Sequence, residues 1–160
     1  MRYLNVVVIV LASLVWLSPS MAAEALDPEK ILEHINEHRS SLDLEPLNAH
    51  QGLNAAAKLR VEDMLENDYF AHINPETGEG PMEAIMQVDY DPQAFAENIA
   101  MGTFQNEKEL VQGWLDSPEH RENIERSDMV DSGLAIARDD NTDLGMDVYI
   151  VVQLFGSPMN

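Results

Sequence analysis

Apolar residues recur at helical spacing through the first two thirds of the chain and lose that period in the last third. Ile31, Leu32, Ile35 and Leu42 fall within about 100° of arc on a helical wheel, following Asp27-Pro28-Glu29. That tripeptide is a helix start, with an acid at the N-cap, proline in the first turn, and a second acid near the positive end of the dipole. Leu44-Glu45-Pro46-Leu47 breaks the pattern, and a second helix is predicted from about His50 to Glu66, burying Leu53, Ala57, Val61 and Met64. Ala55, Ala56 and Ala57 in it are small enough for close approach to a neighbouring layer. NPETGEGP, from Asn74 to Pro81, is turn chemistry dense in Gly and Pro. A short helix from Met82 to Val88 follows, then a short strand or irregular chain at FAENIAM, Phe95 to Met101. A third clear helix, Asn106 to Asp116, turns Leu110, Val111, Trp114 and Leu115 inward. Ser117-Pro118-Glu119 then restarts the chain as another helical turn with Ser117 as its N-cap.

The C-terminal part reads as strand, at Gly133–Ala137 and Val148–Phe155, around the polar loop DDNTDLGMD. The second run is apolar at nearly every position, which requires cover on both faces. Helices followed by an antiparallel pair covered on both sides predict an α+β domain, a three-layer α-β-α sandwich with a small antiparallel sheet.

The first 25 residues differ from all the rest. Arg2 precedes an apolar run from Tyr3 to Leu17, and Ser18-Pro19-Ser20 ends it. The run falls short of the roughly 20 residues of a spanning helix. Ser20 and Ala22 stand at the −3 and −1 positions of a signal-peptidase site. The expectation is a signal peptide over residues 1–22, a single domain over residues 23–160, no transmembrane segment after processing, and export to the periplasm or the medium.

Composition narrows the chemistry further. Nine Lys plus Arg against 29 Asp plus Glu give a formal charge of −20, which opposes phosphate backbones and anionic lipid surfaces, so no nucleic-acid partner is expected. Cysteine is absent, which removes disulfides, thiolate nucleophiles and Cys-based zinc sites. Neither Gly-x-Ser-x-Gly nor Ser-x-x-Lys occurs.

Five histidines bound the search for a site. His34-Ile35-Asn36-Glu37-His38 matches H-x-x-E-H, the inverted zinc-peptidase signature. At about 100° per residue, however, His38 lies roughly 60° and His34 roughly 100° from the centre of the apolar stripe, which makes them surface histidines. Asp139, Asn141 and Asp143 imitate the start of a calcium loop, but Leu144 stands where Gly is needed and Ile150 where a bidentate Glu is needed. The loop therefore reads as a solvated hairpin tip. The remaining set, His72, Glu97 and His120, is dispersed, each at a junction between predicted elements, and no spacing argument alone brings them together.

The ordered pieces ILEHINEHR, LNAAAKLRVEDML, DYFAH, AENIAMG, WLDSPEHRENI and YIVVQLFG resemble bacterial proteins of the CAP superfamily, also called the SCP domain. That superfamily joins cysteine-rich secretory proteins, antigen 5 and plant pathogenesis-related proteins. The resemblance spans about Ile31 to Gly156, and the Glu-Asn pair at 97–98 and the string from Trp114 to Ile124 are its most specific parts. It implies an α-β-α sandwich with one large cleft holding two histidines and two acids. His72 and His120 match the histidines and Glu97 one acid. The other is Glu83 by distance from His72, or Glu79, because the intervening loop is one residue longer than usual.

Such a set could hold Zn²⁺ weakly through His72 and His120, with Glu97 and Glu83 as candidate catalytic carboxylates. It could equally be a buried His–Glu network that joins the helices to the sheet. No other cofactor is expected. Two functions from different classes follow from the resemblance. One is a non-enzymatic binding module for a lipid, peptide or cell-envelope ligand. The alternative is a metal-assisted hydrolase, a peptidase, using His72, His120 and Glu97.

Overall fold

The computed structural model describes residues 25–139 and 148–159. The signal-peptide expectation, the 139–143 ligand pattern beyond its first residue, and the hairpin tip lie outside them. Among the described residues, nine elements follow in order: α1 Pro28–Ser41, β1 Asn48–Ala49, α2 Gln51–Glu66, α3 Pro81–Ile85, β2 Pro92–Gly102, α4 Glu107–Asp116, α5 Pro118–Glu125, β3 Asp131–Asp139 and β4 Val148–Pro158.

The helix starts are those the sequence signals. Asp27 caps α1 by accepting from the Glu29 N–H at 2.9 Å. The His50 ring caps α2 through Nδ1, 3.1 Å from the Gly52 N–H. Asn106 caps α4 through the Glu109 N–H at 3.0 Å. Ser117 occupies the N-cap position of α5, but its side chain makes no capping bond. The short helix begins at Pro81 and ends at Ile85, shorter at its C-terminus than the periodicity suggested.

FAENIAM is the middle of an eleven-residue strand. The four strands run in the order β1-β3-β4-β2, with β2, β4 and β3 antiparallel as expected. The short β1, which follows the break at Leu44–Leu47 and is not expected from sequence, adds two residues parallel to β3, which makes the sheet mixed.

Strand β4 is buried over most of its length, and alternation sorts its side chains between two cores. Ile150, Val152 and Leu154 join Ile99 against α2 and α3, where Leu53, Ala56, Ala57, Val61, Met64 and Ile85 point inward. Val151 and Phe155 join Ala96 and Leu134 against α1, α4 and α5, whose contribution is Ile31, Ile35, Leu110, Val111, Trp114 and Ile124. Helices therefore cover both faces, and the sandwich has three layers.

Two positions depart from the helical-wheel reading. Leu42 is 46% exposed beyond the end of α1. Arg39, one turn after Ile35, is fully buried in that stripe instead. Its guanidinium donates to the carbonyls of Glu45 at 2.8 Å, Ile124 at 2.6 Å and Arg126 at 3.0 Å, with Met129 at 3.4 Å. It thereby ties α1 to the C-terminal end of α5, where the helix dipole favours a cation. Burial holds Arg39 below the ordinary range of an arginine.

Close approach of α2 to the sheet depends on Gly133. A Cβ there would overlap the backbone of Leu53 and Asn54, and the Asn54 side chain accepts the Leu134 N–H at 2.9 Å. Backbone cannot swing aside as a side chain can. Gly133→Ala is expected to cost about 1–3 kcal/mol by overpacking, measured by urea unfolding. Unchanged stability would show that α2 can lift from β3 without loss.

Candidate functional site

The site forms at the free edge of β2. Side chains alternate along a strand, so Glu97 and Asn98 point to opposite faces of the sheet. Each holds one histidine-bearing segment. On the α2 face, Glu97 Oε1 stands 2.7 Å from His72 Nδ1, and Glu97 Oε2 accepts from Arg60 Nε at 3.1 Å. On the other face, the Asn98 amide donates to the His120 carbonyl at 3.1 Å, and its Oδ1 accepts from Asn123 at 2.9 Å. One strand step therefore positions both histidine segments, each from its own side.

Arg60 is the organising cation of the α2 side, and the sequence reading missed it. It is 2% exposed, on the inner face of α2. Besides Glu97 it donates to the carbonyls of Ala71 at 3.0 Å and His72 at 2.9 Å, and to the Tyr69 hydroxyl at 2.8 Å. Asp63 accepts from the same hydroxyl and from Asn74 at 3.1 Å, which anchors the turn after His72. Burial pulls Arg60 down, but the Glu97 charge and hydrogen bond, with Tyr69, outweigh it and hold the guanidinium above its ordinary range. The available signal was a charged residue three to four positions from Ala56, Ala57 and Met64 on a packed helix face.

The two histidines differ in environment. The His72 side chain is 53% exposed, while its Glu97 partner is 2% exposed. A carboxylate only accepts, so His72 Nδ1 carries the proton and, in the neutral ring, Nε2 keeps its lone pair. Burial pushes the His120 imidazole below its ordinary value, and repulsion from the neighbouring His72 adds to this against the opposing pull of Glu119. His120 is thus biased toward the neutral form.

An open cleft of about 590 Å³ lies beside this network. His72, Glu97, Asn123 and Arg126 supply its polar part, and Ile73, Pro81, Met82 and Phe95 its apolar wall. Of the two candidate acids, Glu83 lines this cleft. Its Oε2 accepts the N–H of Gly80, the N-cap residue of α3, at 2.7 Å, and that bond holds its carboxyl below the usual range. Glu79 is exposed and lines a smaller, acidic recess against α2 instead.

The inverted peptidase motif is not assembled. His34 Nδ1 pairs with Glu37 at 3.0 Å, while His38 Nε2 pairs with Glu125 of α5 at 2.8 Å. The fifth histidine, His50, caps α2 and packs edge-on against Tyr90. Among the described residues no three or more His, Asp or Glu side chains are grouped to hold a metal ion. Of the two candidate imidazoles, His72 lines the cleft and keeps Nε2 available once Glu97 has engaged Nδ1, whereas His120 is not among the residues that line it. Also among the described residues, no helix is long and apolar enough to cross a membrane.

Known proteins share this fold. The chain is 27% identical to an outer surface protein from Borrelia burgdorferi, with a TM-score of 0.67 over 82% of this chain and 92% of that one. It is 26% identical, with a TM-score of 0.66, to an extracellular SCP-domain protein from Bacillus anthracis, over 80% of this chain and 39% of that one. The uncharacterized protein YkwD of Bacillus subtilis is 31% identical over 96 residues, which are 60% of this chain and 37% of YkwD. The chain thus spans about a third of the length of the curated relatives it matches. Residues 32–155 match the family described as "CAP: Cysteine-rich secretory protein family", and with the three-layer fold and the cleft at the Glu97-Asn98 edge, this places the chain in the CAP family.

Proposed function

We propose that this domain is an exported, non-enzymatic binding module whose cleft takes a lipid, peptide or cell-envelope ligand and whose His72 and His120 hold a divalent metal weakly. The observation that carries this reading is the commitment of Glu97. Both of its oxygens are engaged, one by Arg60 and one by His72, and it is 2% exposed on its side chain. A hydrolytic base must reach water and accept its proton, and this carboxylate instead orients a ring. The mixed wall of the cleft, Ile73, Met82 and Phe95 beside His72 and Arg126, suits an organic ligand with apolar and polar parts.

A zinc ion at the two imidazoles would supply Lewis acidity. This chain's own contribution is to fix the His72 tautomer through Glu97 and to favour neutral His120. Two protein ligands are fewer than the three usual at catalytic zinc, so the expected affinity is about micromolar or weaker. It should fall as pH drops, because a ligating ring must be neutral, and burial places that loss at His120 below the ordinary histidine range.

Zinc titration of chelator-stripped protein and of His120→Ala, with melting of both, tests this. Binding in the parent that vanishes in the variant, with little change in metal-free stability, supports the site. No zinc binding by the parent at neutral pH, with a large metal-independent loss in the variant, would overturn it in favour of a structural network.

Export rests on the Ser20-x-Ala22 pattern and on relatives described as extracellular or outer-surface proteins. The mature chain is expected to begin at Ala23 or within three residues of it. Intact-mass measurement on the exported protein decides this, and a surviving Met1-to-Leu17 segment would defeat it.

A further inference from the structure

The edge of β2 carries a second feature of the cleft. In an antiparallel ladder, residues alternate between turning both main-chain groups toward the partner strand and turning both away. The β2 residues that turn away can be identified from three contacts. Asn123 donates to the Glu97 carbonyl at 3.3 Å, and Trp114 Nε1 to the Ile99 carbonyl at 3.4 Å, both from helices outside the sheet. Gly156, which faces Phe95 across the ladder, gives its carbonyl to Val130 on the β3 side at 3.0 Å. Phe95, Glu97 and Ile99 therefore direct their N–H and C=O off the free edge.

Edge strands are ordinarily blocked or covered, and the downstream part of β2 is covered by Trp114 and Asn123. Among the described residues, nothing covers the upstream part in this way. The N–H and C=O of Phe95 and the N–H of Glu97 face the cleft that Phe95, Ala96 and Glu97 line.

We propose that the cleft binds an extended peptide, which adds to the upstream edge of β2 as a short strand and lodges an apolar side chain against Ile73, Met82 and Phe95. This deepens the binding-module reading and rests on it. The main chain sets the class of ligand, because a donor, an acceptor and a second donor spaced along a strand edge are matched in register by another extended polypeptide. A lipid tail offers no such groups. The recess sets the number of strands. The open edge is flanked by the His72–Glu83 segment on one side and by Asn123 and Arg126 on the other, and an edge flanked in this way admits a single extended chain more readily than the edge of a second folded copy. Ile73 is 53% exposed beside it, an apolar contact awaiting a partner.

The probe is a library of capped hexapeptides varied at each position, screened against the ¹⁵N-labelled protein by amide shifts. The best peptide is then remade with single N-methyl groups along its length. The expected result is that the Phe95 and Glu97 amides move and become protected from hydrogen exchange. N-methylation at alternate peptide residues, those facing β2, should weaken binding about tenfold or more, while methylation at the residues between leaves it unchanged.

Peptide binding without protection at Phe95 and Glu97, or with no alternation in the N-methyl series, overturns strand addition and leaves the binding module standing. Absence of any binding peptide at millimolar concentration also overturns it. The zinc titration of the parent and His120→Ala is read independently of both outcomes. Because the modification is made on the peptide, no variant needs to fold.

Discussion

Arg60→Met is expected to lower stability by about 3–5 kcal/mol, the cost of breaking a buried ion pair from one side. The substitution keeps an unbranched apolar stem and removes the charge and the donors. Glu97 is left buried with only His72 as partner, and the carbonyls of Ala71 and His72 lose their donor. Two controls separate charge from packing. Arg60→Lys keeps the charge but cannot span Glu97, Tyr69 and two carbonyls at once, so it should fall between parent and Arg60→Met. Adding Glu97→Gln to Arg60→Met removes the orphaned charge and should recover part of the loss. Urea unfolding measures all three, and a change below about 0.5 kcal/mol for Arg60→Met, the range of an ordinary surface substitution, would refute the role given to Arg60. At the site itself, Arg60→Met should loosen the His72 backbone, so zinc affinity should fall even where the protein remains folded.

Trp114→Ala is expected to cost about 3–5 kcal/mol, as for large-to-small changes at buried aromatics. Trp114 is 2% exposed and sits with Leu110 and Val111 on the inner face of α4. Its indole also donates to the Ile99 carbonyl on the edge of β2. The variant therefore opens a cavity between helix and sheet and uncovers a carbonyl on an edge that is otherwise closed there. Thermal and urea unfolding measure the loss, and a melting point within a degree or two of the parent would show that Trp114 is not core. Trp114→Phe keeps most of the packing but not the donor, and should lose less.

Local chemistry explains which elements could be read in advance. Helix starts depend on a few neighbouring residues, so Asp27 caps α1 as its sequence indicates, and α2 and α4 begin directly after His50 and Asn106, close to where the sequence starts them. The unbroken apolar run of β4 requires cover on two faces, and the two cores provide it. Strand β2 was harder to read because its burial pattern is set by a site. Glu97 and Asn98 interrupt the apolar alternation, and both are buried because each has partners from a different layer. Ordered motifs pointed to His72, Glu97 and His120, but nothing in their spacing could reveal the His72–Glu97 hydrogen bond or the hold of Asn98 on the His120 carbonyl.

The sequence by itself determined the main helices, the cap at Asp27, the fully covered C-terminal strand and the absence of thiol chemistry, and its ordered motifs pointed to His72, Glu97 and His120. Each of these depends on periodicity, composition or an ordered motif, and none needs long-range geometry. Tertiary structure alone decided that Arg39 and Arg60 lie inside, because a buried cation is permitted only where acceptors from distant segments converge on it. Arg39 draws its acceptors from Glu45, Ile124, Arg126 and Met129, and Arg60 draws its own from Tyr69, Ala71, His72 and Glu97. It likewise decided that β2 is an edge strand with its upstream main chain open to the cleft, since strand order and register are properties of pairing between segments far apart in the chain.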